Sequence, residues 1–335
     1  MKYRRMGQTG LRVSEFCLGT MTFGYQTEKD EAFAIMDTAA DAGVNFVDTS
    51  NVYPLGSPDV GTTEEIVGEW LSQRPRDSVV LATKCRSPMG DGPNEQGLSR
   101  AHIFDSVEAS LRRLKTDYID LYQTHHSDSS TPIEETMQAL DDLVRAGKVR
   151  YIGASNYEGW ELARSFLASD RLRLTRYQCL QPRYNMLYRH LEDDLLPLCR
   201  SEGVGVIAYN PLAGGLLTGK YESTDDLRED TRFMLGSAAS RYQDRYWHDE
   251  QFREVERLTA YFKDRDIPLT LAAIAWTLAQ EGITSAIVGA SRREQIEETL
   301  KYGDVELTDD DFAFCDEAWY NLPRVRESGP VIPAR

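Results

Sequence analysis

The feature that most constrains this chain is an alternation. Short runs rich in β-branched and aromatic residues are each followed by a longer stretch of helical period. The first run is Phe16 to Gly19, with a helix over Asp30 to Ala42 that stops at Gly43, a residue suited to the left-handed turn just past a helix end. Phe46 to Asp48 precedes a helix over Thr62 to Gln73, and Val79 to Thr83 precedes one over Ser99 to Leu114, with Ser99 placed as an N-cap. Ile119 to Thr124 leads into Pro132 to Ala146, Arg150 to Ala154 into Gly159 to Ala168, and Tyr177 to Gln181 into Leu191 to Ser201. The seventh run is Val204 to Tyr209. The eighth is Ser285 to Val288, followed by a helix over Arg293 to Tyr302. Runs such as Val79-Val80-Leu81-Ala82 are apolar on both faces, as parallel strands covered on both sides must be.

Eight such units in 335 residues predict a (β/α)8 TIM barrel, as one domain over 1–335. A doubly wound sheet is the competing reading. Residues 1–13 read as a β-hairpin closing the bottom of the barrel, and Thr308 to Trp319 as an extra C-terminal helix. Residues 210–250 show little apolar period, so a long functional loop is expected after the seventh strand. Residues 324–335 read as irregular; that tail and the loop of residues 221–248 are candidate contact surfaces for an oligomer.

Charge removes other classes. Asp and Glu number 54 against 38 Lys plus Arg, a formal net charge of −16, and no basic block interrupts the trend. Neither nucleic acid nor an anionic membrane is the expected partner. The N-terminal segment Met1 to Gly10 is polar, unlike a secretory signal, and the apolar stretch Leu271 to Ala279 is too short to span a bilayer. Five cysteines without a CxxC pair suit reduced thiols and a cytoplasmic setting. The five histidines form no HExxH, and no metal is expected. Gly214 to Tyr221 nearly fits a P-loop, but Tyr221 stands where a Ser or Thr would ligate magnesium. Gly203-Val204-Gly205 lies before a strand and lacks a third glycine, so no Rossmann fingerprint exists.

Active sites of such barrels lie at the C-terminal ends of the strands. Those ends carry Asp48 (with Tyr53 beyond it), Lys84, His125, Ser155-Asn156, Gln181 and Tyr209. A tyrosine with a pKa of about 10 is a poor proton donor at neutral pH unless a cation lowers it. Lys84 is the cation expected to do so, with Asp48 holding Lys84 charged and His125 orienting a carbonyl oxygen. The bland reading of Lys84 and Asp48 is a structural ion pair. It is the four residues together that point to chemistry.

These residues sit in a wider pattern. Gly7 to Ser14, Leu18 to Met21, Asn45 to Ser50 with Tyr53, Ala82-Thr83-Lys84, Asp117 to His125, Gly147 to Asn156, Ala208 to Leu212 and Gly289 to Arg292 occur in this order along the chain. In this the chain resembles the aldo-keto reductase superfamily, and within it a microbial, NADP-dependent branch. The resemblance implies hydride transfer between NADP(H) and an aldehyde, ketone or sugar-derived carbonyl, with Asp48, Tyr53, Lys84 and His125 as the catalytic tetrad and Tyr53 the general acid and base. His126 is a rival to His125, and the Asp-Leu-Tyr-Gln-x-His spacing selects His125. The resemblance also implies that Ser155, Asn156 and Gln181 bind the carboxamide and Tyr209 stacks on the nicotinamide. Leu212, Gly214 and the backbone around Leu216 form the pyrophosphate loop, and Ser291, Arg292, Gln295 and Glu298 hold the adenosine 2′-phosphate and adenine. Gly19, Thr20, Met21, Asp48, Asn210, Pro211, Lys220 and Gly289 complete the expected contacts. Some branches place an Arg where Gln295 stands and an Asn where Thr299 stands. The preference for NADP over NAD therefore rests on Arg292, whose planar fork suits a phosphate. Phe23 and Tyr25 are the expected substrate contacts with Tyr53 and His125; Tyr242, Tyr246, Trp247 and His248 either line the pocket or pack on the barrel. The resemblance implies one alternative role, a cofactor-binding regulatory subunit like channel β-subunits.

Overall fold

A computed structural model describes residues 1–229 and 231–323. The expected irregular tail at 324–335 lies outside the described residues. A two-stranded antiparallel hairpin, β1 (Tyr3–Arg5) and β2 (Arg12–Ser14), precedes the barrel. The barrel strands are β3 (Phe16–Gly19), β4 (Phe46–Asp48), β5 (Val80–Cys85), β6 (Ile119–Thr124), β7 (Val149–Ser155), β8 (Cys179–Gln181), β9 (Gly205–Tyr209) and β10 (Ile283–Gly289). Each pairs in parallel with the next, and β10 closes the ring on β3. The helices are α1 (Lys29–Asp41), α2 (Thr62–Leu71), α3 (Arg100–Arg113), α4 (Ile133–Arg145), α5 (Gly159–Leu172), α6 (Leu195–Glu202), α7 (Ala239–Tyr246), α8 (Asp249–Lys263), α9 (Leu269–Ala279), α10 (Arg293–Thr299) and α11 (Asp309–Asn321). The barrel, the hairpin and the C-terminal helix follow the sequence expectation.

Caps explain several of the boundaries. Ser99 accepts a hydrogen bond from the His102 backbone N–H at 3.3 Å, satisfying an orphan donor of the first turn of α3. Thr308 and Asp311 cap α11 reciprocally. Gly203 ends α6 with a φ of 67°, a conformation glycine adopts without steric cost.

Two apolar layers hold the barrel. The outer layer lies between strands and helices. The inner layer consists of Met6, Val13, Cys17, Phe46, Val80, Ala82, Leu121, Cys179 and Ile207, so the N-terminal hairpin plugs the bottom. Because side chains alternate across a strand, residues two positions further along share the inner face. That places Asp48 above Phe46, Lys84 above Ala82, Gln123 above Leu121, Gln181 above Cys179 and Tyr209 above Ile207. The register supports the same layer: Gly19 pairs with Asp48, Lys84 with Gln123 and Ser155 with Gln181.

The stretch after β9 is more helical than its sequence suggests. It holds three short 3-10 turns and α7, and α8 and α9 then fill the interval before β10. Helix α9 has no polar face to reveal it: Leu271, Ala272, Ala273, Ile274, Trp276 and Leu278 are all buried. No described helix is long and apolar enough to cross a membrane.

Candidate active site

At the centre of the polar layer, the Lys84 ammonium donates to Asp48 Oδ2 at 2.6 Å and to the Thr49 carbonyl at 2.8 Å. Lys84 is fully buried and Asp48 nearly so. The other carboxylate oxygen accepts from Gln181 Nε2 at 2.8 Å and from Gln123 Nε2 at 3.3 Å. A buried charge needs this degree of compensation. Gln123 went unread in the sequence, although its place two residues after Leu121 on an inner face is the signal that finds it.

Tyr53 stands over this pair, with the Lys84 ammonium 5.1 Å from its ring centroid. His125 meets the Tyr53 ring edge-on at a centroid distance of 6.0 Å and stacks on His126 at 5.4 Å. Of the two histidines it is therefore His125 that faces Tyr53. His125 Nδ1 lies 3.2 Å from Ser50 Oγ. When Ser50 donates that bond, the remaining ring proton is on Nε2. Burial, and then Lys84, His126, Arg241 and Arg86, hold the His125 pKa well below its usual 6.5, so the ring is a neutral donor at neutral pH.

Lys84 acts on Tyr53 in the expected direction, lowering its pKa, but it does not set the net shift. Burial is the larger effect and, with Lys84 opposing it, pushes the phenol up to about 12. Tyr53 is protonated at neutral pH.

The mouth opens into a cavity of about 810 Å³. Ser155 Oγ donates to the Gln181 carbonyl at 2.8 Å, and Tyr209 OH donates to Asn156 Oδ1 at 2.8 Å. Asn156 and Asn210 both adopt positive φ, 56° and 59°, conformations that recur at functional sites. Past β9, Gly214 and Gly215 have φ of 71° and 102°, so the chain turns there with bare backbone against the cavity.

Nearly all the sequence-predicted cofactor residues line this cavity: Gly19, Thr20, Met21, Asp48, Ser155, Asn156, Gln181, Tyr209, Asn210, Pro211, Leu212, Gly214, Lys220, Gly289, Ser291, Arg292, Gln295 and Glu298. Leu216 is buried in the core and does not line the cavity. The Gln295 amide oxygen accepts from the Ser291 backbone N–H at 2.9 Å and closes the turn between β10 and α10. Phe23 and Tyr25 are corrected as substrate contacts. Phe23 is fully buried, with its carbonyl accepting from Thr63 Oγ1 at 2.7 Å, and Tyr25 is exposed outside the cavity lining. Of the aromatic residues in the long segment, Tyr242 lines the cavity, while Trp247 packs on Phe233, with ring centroids 4.3 Å apart. Tyr246 OH accepts from Asn185 Nδ2 at 3.0 Å, and His248 lies on the surface.

Arg86, Arg232, Arg241 and Arg245 also line the cavity and were not singled out in the sequence. Among the described residues, Arg232 Nη1 and Asn210 Nδ2 are buried there without a hydrogen-bond partner. Arg232 reaches over the end of β10, where a Cβ on Gly289 would come within 3.4 Å of Nη2. Orphan donors beside bare backbone suit a long polyanionic ligand such as a dinucleotide.

A comparison of the sequence with known families agrees with this geometry. Residues 15–320 match the model of the Aldo/keto reductase family. The chain belongs to the aldo/keto reductase family. A Bacillus subtilis relative named "Uncharacterized oxidoreductase YrpG" is 40% identical over 92% of this chain and 92% of its own length. The Alternaria alternata "Aldo-keto reductase AMT2" is 34% identical over 96% of this chain and 92% of its own. An Arabidopsis thaliana relative named as a probable voltage-gated potassium channel subunit beta is 38% identical over 91% of this chain and 92% of its own. Membership in this aldo/keto reductase family supports carbonyl oxidoreduction as the general chemistry.

Proposed function

We propose that the chain reduces an aldehyde or ketone with NADPH, and oxidises the corresponding alcohol in reverse. The observation that carries this reading is the stack at the barrel mouth. A protonated Tyr53 and a neutral His125 face one cavity above a buried Asp48–Lys84 pair. When bound, the cofactor supplies the hydride that the carbonyl carbon accepts.

The chain's own groups would then do the following. Tyr53 OH donates a hydrogen bond to the carbonyl oxygen and releases its proton as negative charge grows there. His125 Nε2 gives a second donor to the same oxygen and fixes its direction. Lys84 lies close enough to stabilise the phenolate left behind, and Asp48 keeps Lys84 in place. Asn156, Gln181 and Ser155 offer amide and hydroxyl groups to the carboxamide, and the Tyr209 ring offers a stacking face. Lys220, Arg232 and Arg292 supply cations for the phosphates, with Arg292 at the adenosine end favouring NADP over NAD. The barrel acts as one unit over the whole chain.

The test is Tyr53→Phe. NADPH binding, followed by fluorescence titration, should stay within about threefold, while kcat for carbonyl reduction should fall by about 10²–10⁴. Substantial residual turnover removes Tyr53 as the acid.

The channel-subunit name of the Arabidopsis relative supports a second reading, a cofactor-binding regulatory barrel. Co-purification with a larger partner and no reduction of any aldehyde in a panel would favour it.

A further inference from the structure

The charge lining the cavity is unevenly spread. Among the described residues, six Lys and Arg side chains line it against two carboxylates. Of the carboxylates, Asp48 is already paired with Lys84, and Glu298 stands away on α10. Lys220, Arg232 and Arg292 belong to the loops and turns after β9 and β10 that the cofactor reading uses. Arg86, Arg241 and Arg245 do not.

These three arginines gather at the reactive end. Arg86 is the first residue past β5, two positions after Lys84. The His125 backbone N–H donates to the carbonyl of Cys85 at 2.9 Å, which ties the start of Arg86 to His125. Arg86 has a φ of 121°, a backbone conformation that costs energy for any residue with a Cβ, and such strain gathers at functional sites. Its carbonyl accepts from the Gly97 backbone N–H at 2.9 Å, which folds the following loop back on this point. Among the described residues, Arg86 Nε is buried without a hydrogen-bond partner, and neither Arg86 nor Arg241 forms an ion pair. Arg241 and Arg245 come from α7 on the opposite rim, and both lie near enough to His126 to depress its pKa, as Arg86 does.

A guanidinium donor held out of water without an acceptor is costly, and like charges gathered in one pocket repel. Both costs are offset when a ligand oxyanion enters, because the planar fork of arginine matches a carboxylate or phosphate. On an otherwise acidic protein the same cluster also draws an anion towards the mouth.

We propose that the carbonyl substrate carries an oxyanion, a carboxylate or a phosphate monoester, held by Arg86 and Arg241 while its carbonyl oxygen faces Tyr53 and His125. This rests on the reductase reading above and names the class of substrate for that site. Arg86 and Arg241 are specificity-determining residues under it.

The experiment compares matched pairs with NADPH: 4-carboxybenzaldehyde against benzaldehyde, and glycolaldehyde phosphate against glycolaldehyde. In at least one pair the anionic member should have a kcat/KM at least about tenfold higher, and the pair that shows it identifies the oxyanion. Arg86→Met and Arg241→Met should each cut that ratio by about tenfold, mainly through KM. Arg241 is exposed on α7, so its variant tests the idea even where Arg86→Met fails to fold. Reduction of the neutral aldehydes with no anionic preference in either pair overturns the inference and leaves the reductase reading standing. If no aldehyde is reduced, the reductase reading fails, and calorimetry with NADP, benzoate and inorganic phosphate decides the inference separately. Binding of one anion that weakens about tenfold in Arg241→Met supports it; no binding, or binding unchanged by the substitution, overturns it.

Discussion

Replacing Lys84 by Met separates the structural from the catalytic part of the site. Met fills a similar volume, so packing changes little. What changes is charge. Lys84 is fully buried and gives its hydrogens to Asp48 at 2.6 Å and to the Thr49 carbonyl at 2.8 Å. Burial works against the ammonium, yet Asp48 and Tyr53 outweigh it and raise its pKa. Without Lys84, Asp48 is a buried carboxylate whose donors among the described residues are Gln181 at 2.8 Å and Gln123 at 3.3 Å. Breaking one side of a buried pair costs about 3–5 kcal/mol, and the two glutamines place this case near about 3 kcal/mol. That is a large share of the total stability of about 5–15 kcal/mol typical of folded proteins. Lys84→Met with Asp48→Asn removes both charges and should recover about 2 kcal/mol of the loss. Carbonyl reduction should stay about 10²–10⁴-fold down in both variants, because neither holds a cation beneath Tyr53. Urea unfolding followed by circular dichroism measures the first quantity and kcat the second. A single variant within about 1 kcal/mol of wild type, or a double variant no more stable than the single, refutes the argument that Asp48 depends on Lys84.

Other outcomes follow from the same geometry. Tyr53 is held protonated to about 12, and His125 neutral from well below its usual 6.5. Log kcat/KM for reduction should therefore be flat from about pH 7 to about pH 10, and a break near neutrality would remove one of the two assignments. His102, His125 and His126 all have folded pKa values lowered from 6.5, His126 to about 4, chiefly by burial. The unfolded chain binds these protons first, so stability is complete above about pH 6.5 and lost as pH falls through that value. Tm should drop between about pH 7 and about pH 5, and less so in His126→Asn; equal Tm at both pH values contradicts this. Arg292→Ala should weaken NADPH about tenfold more than NADH in a binding titration, and equal weakening takes Arg292 away from the 2′-phosphate. Phe23→Ala should cost about 3–5 kcal/mol in urea unfolding as a truncation of the core. A variant of normal stability with a raised KM would restore Phe23 as a substrate contact.

How much was legible depends on which physical signal each residue carries. The barrel strands announce themselves by runs apolar on both faces, and the mouth residues lie two positions beyond the inner apolar ones. Asp48, Lys84, Gln181 and Tyr209 could thus be found from period alone, and Gln123 should have been. Helix α8 also carried a readable stripe, with Phe252, Val255, Leu258 and Phe262 buried on one side, whereas α9 is apolar all round. The segment from Tyr221 to Trp247 offered no such period. Its course is fixed by aromatic packing across the chain, with Tyr221 on Trp247 at 5.1 Å and Phe233 on Trp247 at 4.3 Å. Contacts of that kind have no local sequence signature, and so Arg232, Arg241 and Arg245 stayed hidden. Phe23 misled for a related reason. A residue just past a strand end reads as part of the mouth, but the chain turns back there, with the Phe23 N–H on the Thr20 carbonyl at 3.0 Å, and sends the ring into the core.

Tyr53 shows what a count of charges leaves out. Lys84 is close, but its charge is largely matched by Asp48, so the pair acts on Tyr53 with much of its field cancelled. Loss of water acts on the phenol directly and has no such counterweight. The balance is therefore set by burial, and the resting site holds a proton on Tyr53 with a neutral His125 beside it. Both groups are then in the state that gives hydrogen bonds to a carbonyl oxygen. Under the proposed mechanism, alcohol oxidation requires Tyr53 first to lose a proton that burial holds tightly. With Tyr53 in the proposed role, alcohol oxidation should therefore gain rate as pH rises.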